Sequence, residues 1–288
     1  MTKLLIFPFF LIMASLVGCV GGQVVYSAYQ SVETIDYEET IDYEEDNSQA
    51  ADTSDEADTS DEFEITIAIL DRAPPVHKDE ETESRPMIAL TFDDGPSIHT
   101  NHILDLLYEN GGRATFFVLG SRVESRRDII LRMHSLGNEV ANHSWSHRNL
   151  ARANSDTIYQ ELSRTSDAIS SILGYSAPLF RPPYGSTNSL VRETAAEFGY
   201  PIINWHIDTM DWRYRDPYRI YNVIMSQAEP GAIILLHDIH GTTAAAMEMV
   251  IPRLIEEGFD LVTVSEAIAY RYGEAVPGKI YGMGFERN

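Results

Sequence analysis

From Met87 onward, short apolar runs alternate with longer stretches in which apolar residues recur every three or four positions. The runs at 87–92, 114–119, 138–142, 178–181, 201–207, 231–236 and 260–264 predict buried strands, being short and bounded by turn residues. Helical patterns lie between them at about 99–110, 122–136, 154–173, 187–198, 217–228 and 243–257, with a last one at 265–271. Gly111, Gly137, Gly174, Gly199 and Gly258 fall at helix ends, where a left-handed cap is expected. Repeated strand–helix units predict a parallel sheet, closed or nearly closed into an α/β barrel of seven units. Chemistry in such barrels belongs at the C-terminal ends of the strands.

The first 84 residues read differently. Met1-Thr2-Lys3 precedes an apolar run from Leu4 to Val17, which suits the core of a signal sequence. That run ends in Leu16-Val17-Gly18-Cys19, and Cys19 is the chain's one cysteine. The stretch resembles the bacterial lipoprotein box, which implies a signal peptide over 1–18 and a lipid on Cys19. Residues 19–84 read as a tether. Thr34-Ile-Asp-Tyr-Glu-Glu39 recurs at 40–45, and Ala51-Asp-Thr-Ser-Asp-Glu56 recurs at 57–62. Such short charged duplications cannot stack as a solenoid and are expected to be extended and disordered. Residues 63–70 alternate like a strand before Pro74-Pro75 interrupts the pattern.

Charge sharpens this division. Fourteen of the acids lie between Ser31 and Glu62, which accounts for most of the formal net charge of −23. The remainder is only moderately acidic, and neither part is built to grip nucleic acid, which needs a basic face. The expected organisation is a signal peptide at 1–18, an acidic tether at 19–84, a folded domain at 85–272 and a tail at 273–288. The chain is then extracytoplasmic, anchored to the membrane through Cys19, and monomeric.

Reactive side chains collect at the predicted strand ends. Strand one runs into Asp93 and Asp94, and Gly95-Pro96 then turns the chain. Neighbouring residues of an extended segment point opposite ways, so these two carboxylates are expected to do different work. Strand three leads to His143 and His147, a pair at the spacing of a metal chelate. Strand four ends at Arg181-Pro182-Pro183-Tyr184, strand five at Asp208-Thr209-Met210-Asp211-Trp212, and strand six at Leu235-Leu236-His237-Asp238. Singly, each has an ordinary explanation as a turn, a helix cap or a surface histidine. Their joint placement on one rim argues for a site. Two histidines with one aspartate leave a coordination position open, the catalytic rather than the structural pattern. Zn2+ suits such ligands, and Co2+, Ni2+, Mn2+ or iron fit the same ligand types.

Taken in order, TFDDG, HSWSH, RPPY, DTMDW and LLH resemble the motifs of the NodB-homology polysaccharide deacetylases, carbohydrate esterase family four, over about residues 85–270. The resemblance implies that Asp93 is the general base, with Asp94, His143 and His147 as metal ligands. It implies that Arg181 is the counter-ion of Asp93 and that the Tyr184 N–H holds the oxyanion. Asp211 would orient His237, the general acid, while Trp212 and Leu235 wall the acetyl or sugar pocket. No role follows for Asp208. The implied reaction removes N-acetyl groups from a cell-wall glycan, with peptidoglycan N-acetylglucosamine favoured over N-acetylmuramic acid. Chitooligosaccharide deacetylation, O-acetyl esterase activity and a silent glycan-binding lipoprotein are the alternatives.

Overall fold

The computed structural model describes residues 85–282. The signal sequence, Cys19, the tether, the alternating stretch 63–70 and residues 283–288 lie outside the described residues. No helix among the described residues is long and apolar enough to cross a membrane.

The chain opens with β1 (Met87–Asp93) and α1 (Thr100–Glu109), followed by β2 (Thr115–Val118). Where one helix is predicted over 122–136, a short α2 (Gly120–Val123) and a 3-10 turn precede α3 (Arg127–Ser135). The break falls at Arg126, whose φ of −133° leaves the helical region. Next come β3 (Glu139–Asn142), α4 (Ser155–Leu173) and α5 (Ser189–Glu197). Then follow β4 (Ile202–Ile203), β5 (Ile207–Asp208), α6 (Asp211–Tyr214) and α7 (Pro217–Gln227). The chain continues through β6 (Ile233–His237), α8 (Gly241–Glu256), β7 (Asp260–Leu261), α9 (Val264–Tyr272) and β8 (Ile280–Tyr281). The five helix-end glycines all adopt positive φ. Gly174 shows the cap most plainly, its N–H donating to the Ser170 carbonyl at 2.8 Å from φ 76°.

All strand pairs are parallel. The order β3-β2-β1-β6-β5 forms one sheet, with β7 on the start of β1. Beyond β3 the predicted fourth strand shrinks to one residue, Phe180, which bridges Asn142 on one side and Ile202 on the other. The predicted fifth strand is split. Its first half, β4, pairs with β8 and lies beside Phe180, while its second half, β5, pairs with β6. Residues 202–208 thus carry the ring from one edge of the sheet to the other and make the barrel irregular.

Alternation along β1 separates two cores. Ile88, Leu90 and Phe92 join the larger cluster between sheet and helices, whereas Ala89 faces a smaller cluster that fills the ring with Phe117, Leu179, Ile203, Ile233 and Tyr281. Thr91 and Asp93 continue the inward set toward the C-terminal end. Inside the ring, Arg181 is fully buried, with its guanidinium 4.0 Å from the centre of the Phe117 ring.

The segment read as a C-terminal tail contributes β8. Its Tyr281 is fully buried in the inner cluster, and its hydroxyl accepts from the Val276 N–H at 2.9 Å. Gly282 then crosses the strand break so closely that a Cβ there would lie 2.5 Å from Asn204 backbone atoms. Replacing Tyr281 with Ala is expected to cost about 3–5 kcal/mol, as for other buried aromatic truncations. Urea denaturation of the full chain checks this; a midpoint equal to wild type would show that β8 does not support the ring.

Candidate active site

The site begins with two register partners. Asp93 and His237 are paired positions on the hydrogen-bonded strands β1 and β6, so both side chains leave the same face at the same height. Leu235, one inward position earlier, pairs with Thr91 and with Asp208 of β5. Sheet geometry itself sets Asp93 beside His237.

Arg181 holds this end of the barrel together. One guanidinium nitrogen donates to Asp93 Oδ1 and to Thr91 Oγ1, each at 2.7 Å. Its other nitrogens donate to the carbonyls of Ile203 (3.0 Å) and Asn204 (3.1 Å), at the break between β4 and β5. Burial pulls the Arg181 pKa down and the Asp93 carboxylate pulls it back up. Four acceptors, one of them charged, satisfy a group that would otherwise be very costly inside a protein.

Asp94, His143 and His147 form the second group. Strand alternation would turn Asp94 away from Asp93. Instead its φ of 70° swings the carboxylate round, and both aspartates line one pocket. Asp94 Oδ1 lies 3.5 Å from His143 Nε2 and 3.4 Å from His147 Nε2. The histidines sit on a loop rather than a helix, with ring centres 5.1 Å apart. Glu161 of α4 shapes that loop by accepting from the N–H groups of Trp145 and Ser146 and from the Ser146 hydroxyl. The Arg181 carbonyl, 2.8 Å from His143 Nδ1, fixes that nitrogen as the donor and turns Nε2 toward Asp94.

The donor set fits a divalent cation. One candidate ligand atom from each residue lies within 4.8 Å of the others, and Asp94 Oδ1 is buried with no hydrogen-bond partner. Burial, reinforced by His143, lowers the His147 pKa and favours the neutral imidazole a cation needs. Asp94, Ser144, His147, Tyr184 and Met210 all adopt positive φ at this end of the barrel. Each such residue costs on the order of 1–3 kcal/mol, and they cluster where side chains must converge.

The third group is Asp211 with His237. Asp211 Oδ1 is 2.7 Å from His237 Nδ1, and its Oδ2 accepts from the His237 N–H and the Thr243 hydroxyl. Burial works against a charged His237, but the Asp211 hydrogen bond and charge overcome it, raising the pKa to about 9. The partner effect holds Asp211 below the ordinary carboxylate range despite its burial.

These groups surround a pocket of about 430 Å3 whose walls include Trp212, Leu235 and Tyr184. The Tyr184 ring packs edge-on against His147, with centres 4.6 Å apart. Every site residue expected from the sequence within the folded domain is brought together here. Asp208 lines the same pocket, with Oδ1 accepting from the Met210 N–H.

Sequence reasoning missed four contributors. Trp205 also lines the pocket and touches the Tyr184 turn, where a Cβ on Gly185 would meet it at 2.9 Å. Asp238 is fully buried against Gly95, and burial above all raises its pKa to about 7. Its carbonyl accepts from Ser97 and its carboxylate from Thr100, which ties β6 to the turn carrying Asp94. Thr91 passes a hydrogen bond from Arg181 on to the Ile234 carbonyl. Glu161 is the one contributor with a usable signal, a carboxylate on the buried stripe that also carries Ile158, Leu162 and Thr165.

A parallel α/β ring with a carboxylate–histidine set fit for a cation, flanked by the Arg181–Asp93 and Asp211–His237 pairs, is a hydrolase-type centre. The polysaccharide deacetylase family model matches residues 80–203. Peptidoglycan-N-acetylglucosamine deacetylase PgdA of Listeria monocytogenes is 39% identical over 212 residues, 73% of this chain and 43% of that protein. A peptidoglycan-N-acetylglucosamine deacetylase of Bacillus cereus is 33% identical over 195 residues, 64% of this chain and 71% of that protein. The solved structure of the peptidoglycan deacetylase PdaC from Bacillus subtilis is 43% identical, covers 64% of this chain and 90% of that one, and superposes with a TM-score of 0.62. The chain belongs to the polysaccharide deacetylase family, the family 4 carbohydrate esterases, and spans less than half the length of the Listeria relative.

His147→Ala is expected to lower Co2+ affinity by at least about tenfold, since it removes one of three ligands. The visible absorption of the Co2+-titrated full chain reads this directly; unchanged titration would exclude His147 as a ligand.

Proposed function

We propose that the protein is a metal-dependent hydrolase that removes N-acetyl groups from peptidoglycan N-acetylglucosamine and releases acetate. The observation that carries this is the register pairing of Asp93 with His237, each held by its own buried partner, beside the Asp94/His143/His147 set. Two relatives named as peptidoglycan-N-acetylglucosamine deacetylases support the substrate.

Asp94, His143 and His147 would hold a divalent cation, with Zn2+ the first candidate, which would supply Lewis-acid polarisation of the acetyl carbonyl and acidify water at the site. Asp93 takes the proton of the attacking water, and its hydrogen bond from Arg181 keeps it aimed. The Tyr184 N–H, which has no acceptor among the described residues, is free to donate to the oxyanion of the tetrahedral intermediate. His237, protonated under the influence of Asp211, gives its proton to the sugar nitrogen as the C–N bond breaks. The products are acetate and an amino sugar. Trp212, Leu235 and Trp205 give the acetyl group an apolar wall.

The full chain with Zn2+ and isolated peptidoglycan is expected to release acetate, and Asp93→Asn to lower turnover about 10²–10⁴-fold. Acetate from acetylxylan but none from peptidoglycan would overturn the substrate, and full turnover by Asp93→Asn would overturn the mechanism. Asp211→Asn carries a signed pH test. Without the carboxylate, burial lowers the His237 pKa from about 9, so the alkaline limb of kcat/KM moves to lower pH. An unmoved limb would remove His237 as the acid.

The reading extends to location. The Leu16-Val17-Gly18-Cys19 stretch supports a lipid anchor on Cys19, with the acidic segment as spacer to the wall. In a bacterial host, Cys19→Ser is expected to abolish incorporation of labelled palmitate and release the protein from the membrane fraction. Labelling that persists would overturn the anchor.

A further inference from the structure

The catalytic description leaves unused the segment that follows the pocket wall. Trp212 is 47% exposed at the mouth, and the next residues are Arg213, Tyr214, Arg215 and, on the first turn of α7, Tyr218 and Arg219. All are exposed. None of the three arginines has a carboxylate within ion-pair distance among the described residues, although the protein as a whole is strongly acidic. The one acid in the segment, Asp216, is engaged as the N-cap of α7 through the N–H groups of Tyr218 and Arg219.

These side chains are not simply splayed into water. Arg219 stacks on Tyr214 with 3.7 Å from its guanidinium carbon to the ring centre, and Arg213 approaches the same ring at 5.4 Å. Arg215 Nε donates to the Trp212 carbonyl at 2.9 Å, which anchors the guanidinium to the pocket wall and leaves its terminal amino groups available. Arg215 also lies within electrostatic reach of His240. After burial, its charge is the next largest influence lowering the His240 pKa, and the His240 ring centre is 6.1 Å from that of His237. A positive, aromatic-backed surface therefore starts at the wall of the pocket. Beside it lies a shallow depression of about 390 Å3 lined by Tyr218, Arg219, Asn222, Val223, Ser226 and the N-cap Asp216.

We infer that Arg215, supported by Arg213 and the Arg219–Tyr214 stack, is a subsite for a carboxylate on the sugar adjoining the one that is deacetylated. The inference rests on the proposed deacetylase reading and sharpens its substrate class. Chitin is a neutral polymer, whereas in peptidoglycan every second sugar carries a lactyl group that ends in a carboxylate or in a peptide bearing carboxylates. The planar fork of arginine binds a carboxylate through two parallel hydrogen bonds, and the exposed aromatics offer a face to the sugar ring. Selection acts through binding of the neighbouring sugar, so it belongs in KM and not in the bond-breaking step.

The test compares glycan fragments with free lactyl carboxylates, the same fragments with those carboxyls converted to amides, fragments carrying stem peptides, and chitotetraose. Wild-type full chain is expected to prefer carboxylate-bearing fragments over their amidated forms. Arg215→Gln is expected to lower that preference ratio about tenfold through KM, the size of one charge-assisted hydrogen bond at a partly exposed site. Arg215→Lys restores part of it, and Arg213→Gln gives a smaller loss. No wild-type preference, or an equal fall on amidated and free fragments, overturns the subsite. Preference retained only by peptide-bearing fragments assigns the carboxylate to the peptide. Calorimetric binding to the Asp93→Asn protein reads the same ratio without turnover. Absence of acetate from every fragment would overturn the deacetylase reading, while the binding ratio would still decide the subsite.

Discussion

The buried pairing of Arg181 with Asp93 is the constraint on which the rest of the structure depends. A guanidinium inside a barrel is tolerable only if its donors are answered, and here the answers come from two places at once. Asp93 and Thr91 belong to β1, while Ile203 and Asn204 flank the break in the fifth strand position. The break leaves backbone carbonyls that a regular strand would have paired with a neighbour, and Arg181 takes up that unused capacity. The irregularity of the barrel and the placement of the Asp93 carboxylate are therefore one arrangement. The carbonyl of the same residue orients His143, so the cation ligands share it too.

A second layer of carboxylates shapes the loops around this pair. Glu161 folds the loop between the two ligand histidines, and Asp238 packs beneath the turn that holds Asp94. Asp211 both orients His237 and caps its backbone. None of these needs to touch substrate. They hold backbone conformations that ordinary residues adopt reluctantly, and the cost is met by buried hydrogen bonds on neighbouring helices and strands.

Much of this was legible in the chain. The strand-end placement of Asp93, His143, Arg181, Asp211 and His237 followed from hydrophobic runs that stop where reactive residues begin, because parallel strands must be apolar on both faces. The ordered motifs then assigned roles. The fourth and fifth strands were misjudged, because an apolar run reports burial and not pairing. Phe180 and Ile202 are buried either way. The shared orientation of Asp93 and Asp94 escaped as well, since a positive φ at an aspartate leaves no mark in the pattern of polar and apolar residues. The contribution of Ile280 and Tyr281 was hidden by brevity: two residues are too few to show a period.

The register of Asp93 against His237 carries one more consequence. The gap between Asp93 and His237 is spanned by the ladder that holds β1 to β6, not by loops. Breathing of the rim can alter which glycan enters and how long it stays, yet it cannot widen that gap unless the central strands part. Substrate preference and chemical competence are thus mechanically uncoupled. Segments such as the one bearing Arg213 and Arg215, from α6 to the start of α7, can diverge freely, while the distance between Asp93 and His237 is as durable as the sheet.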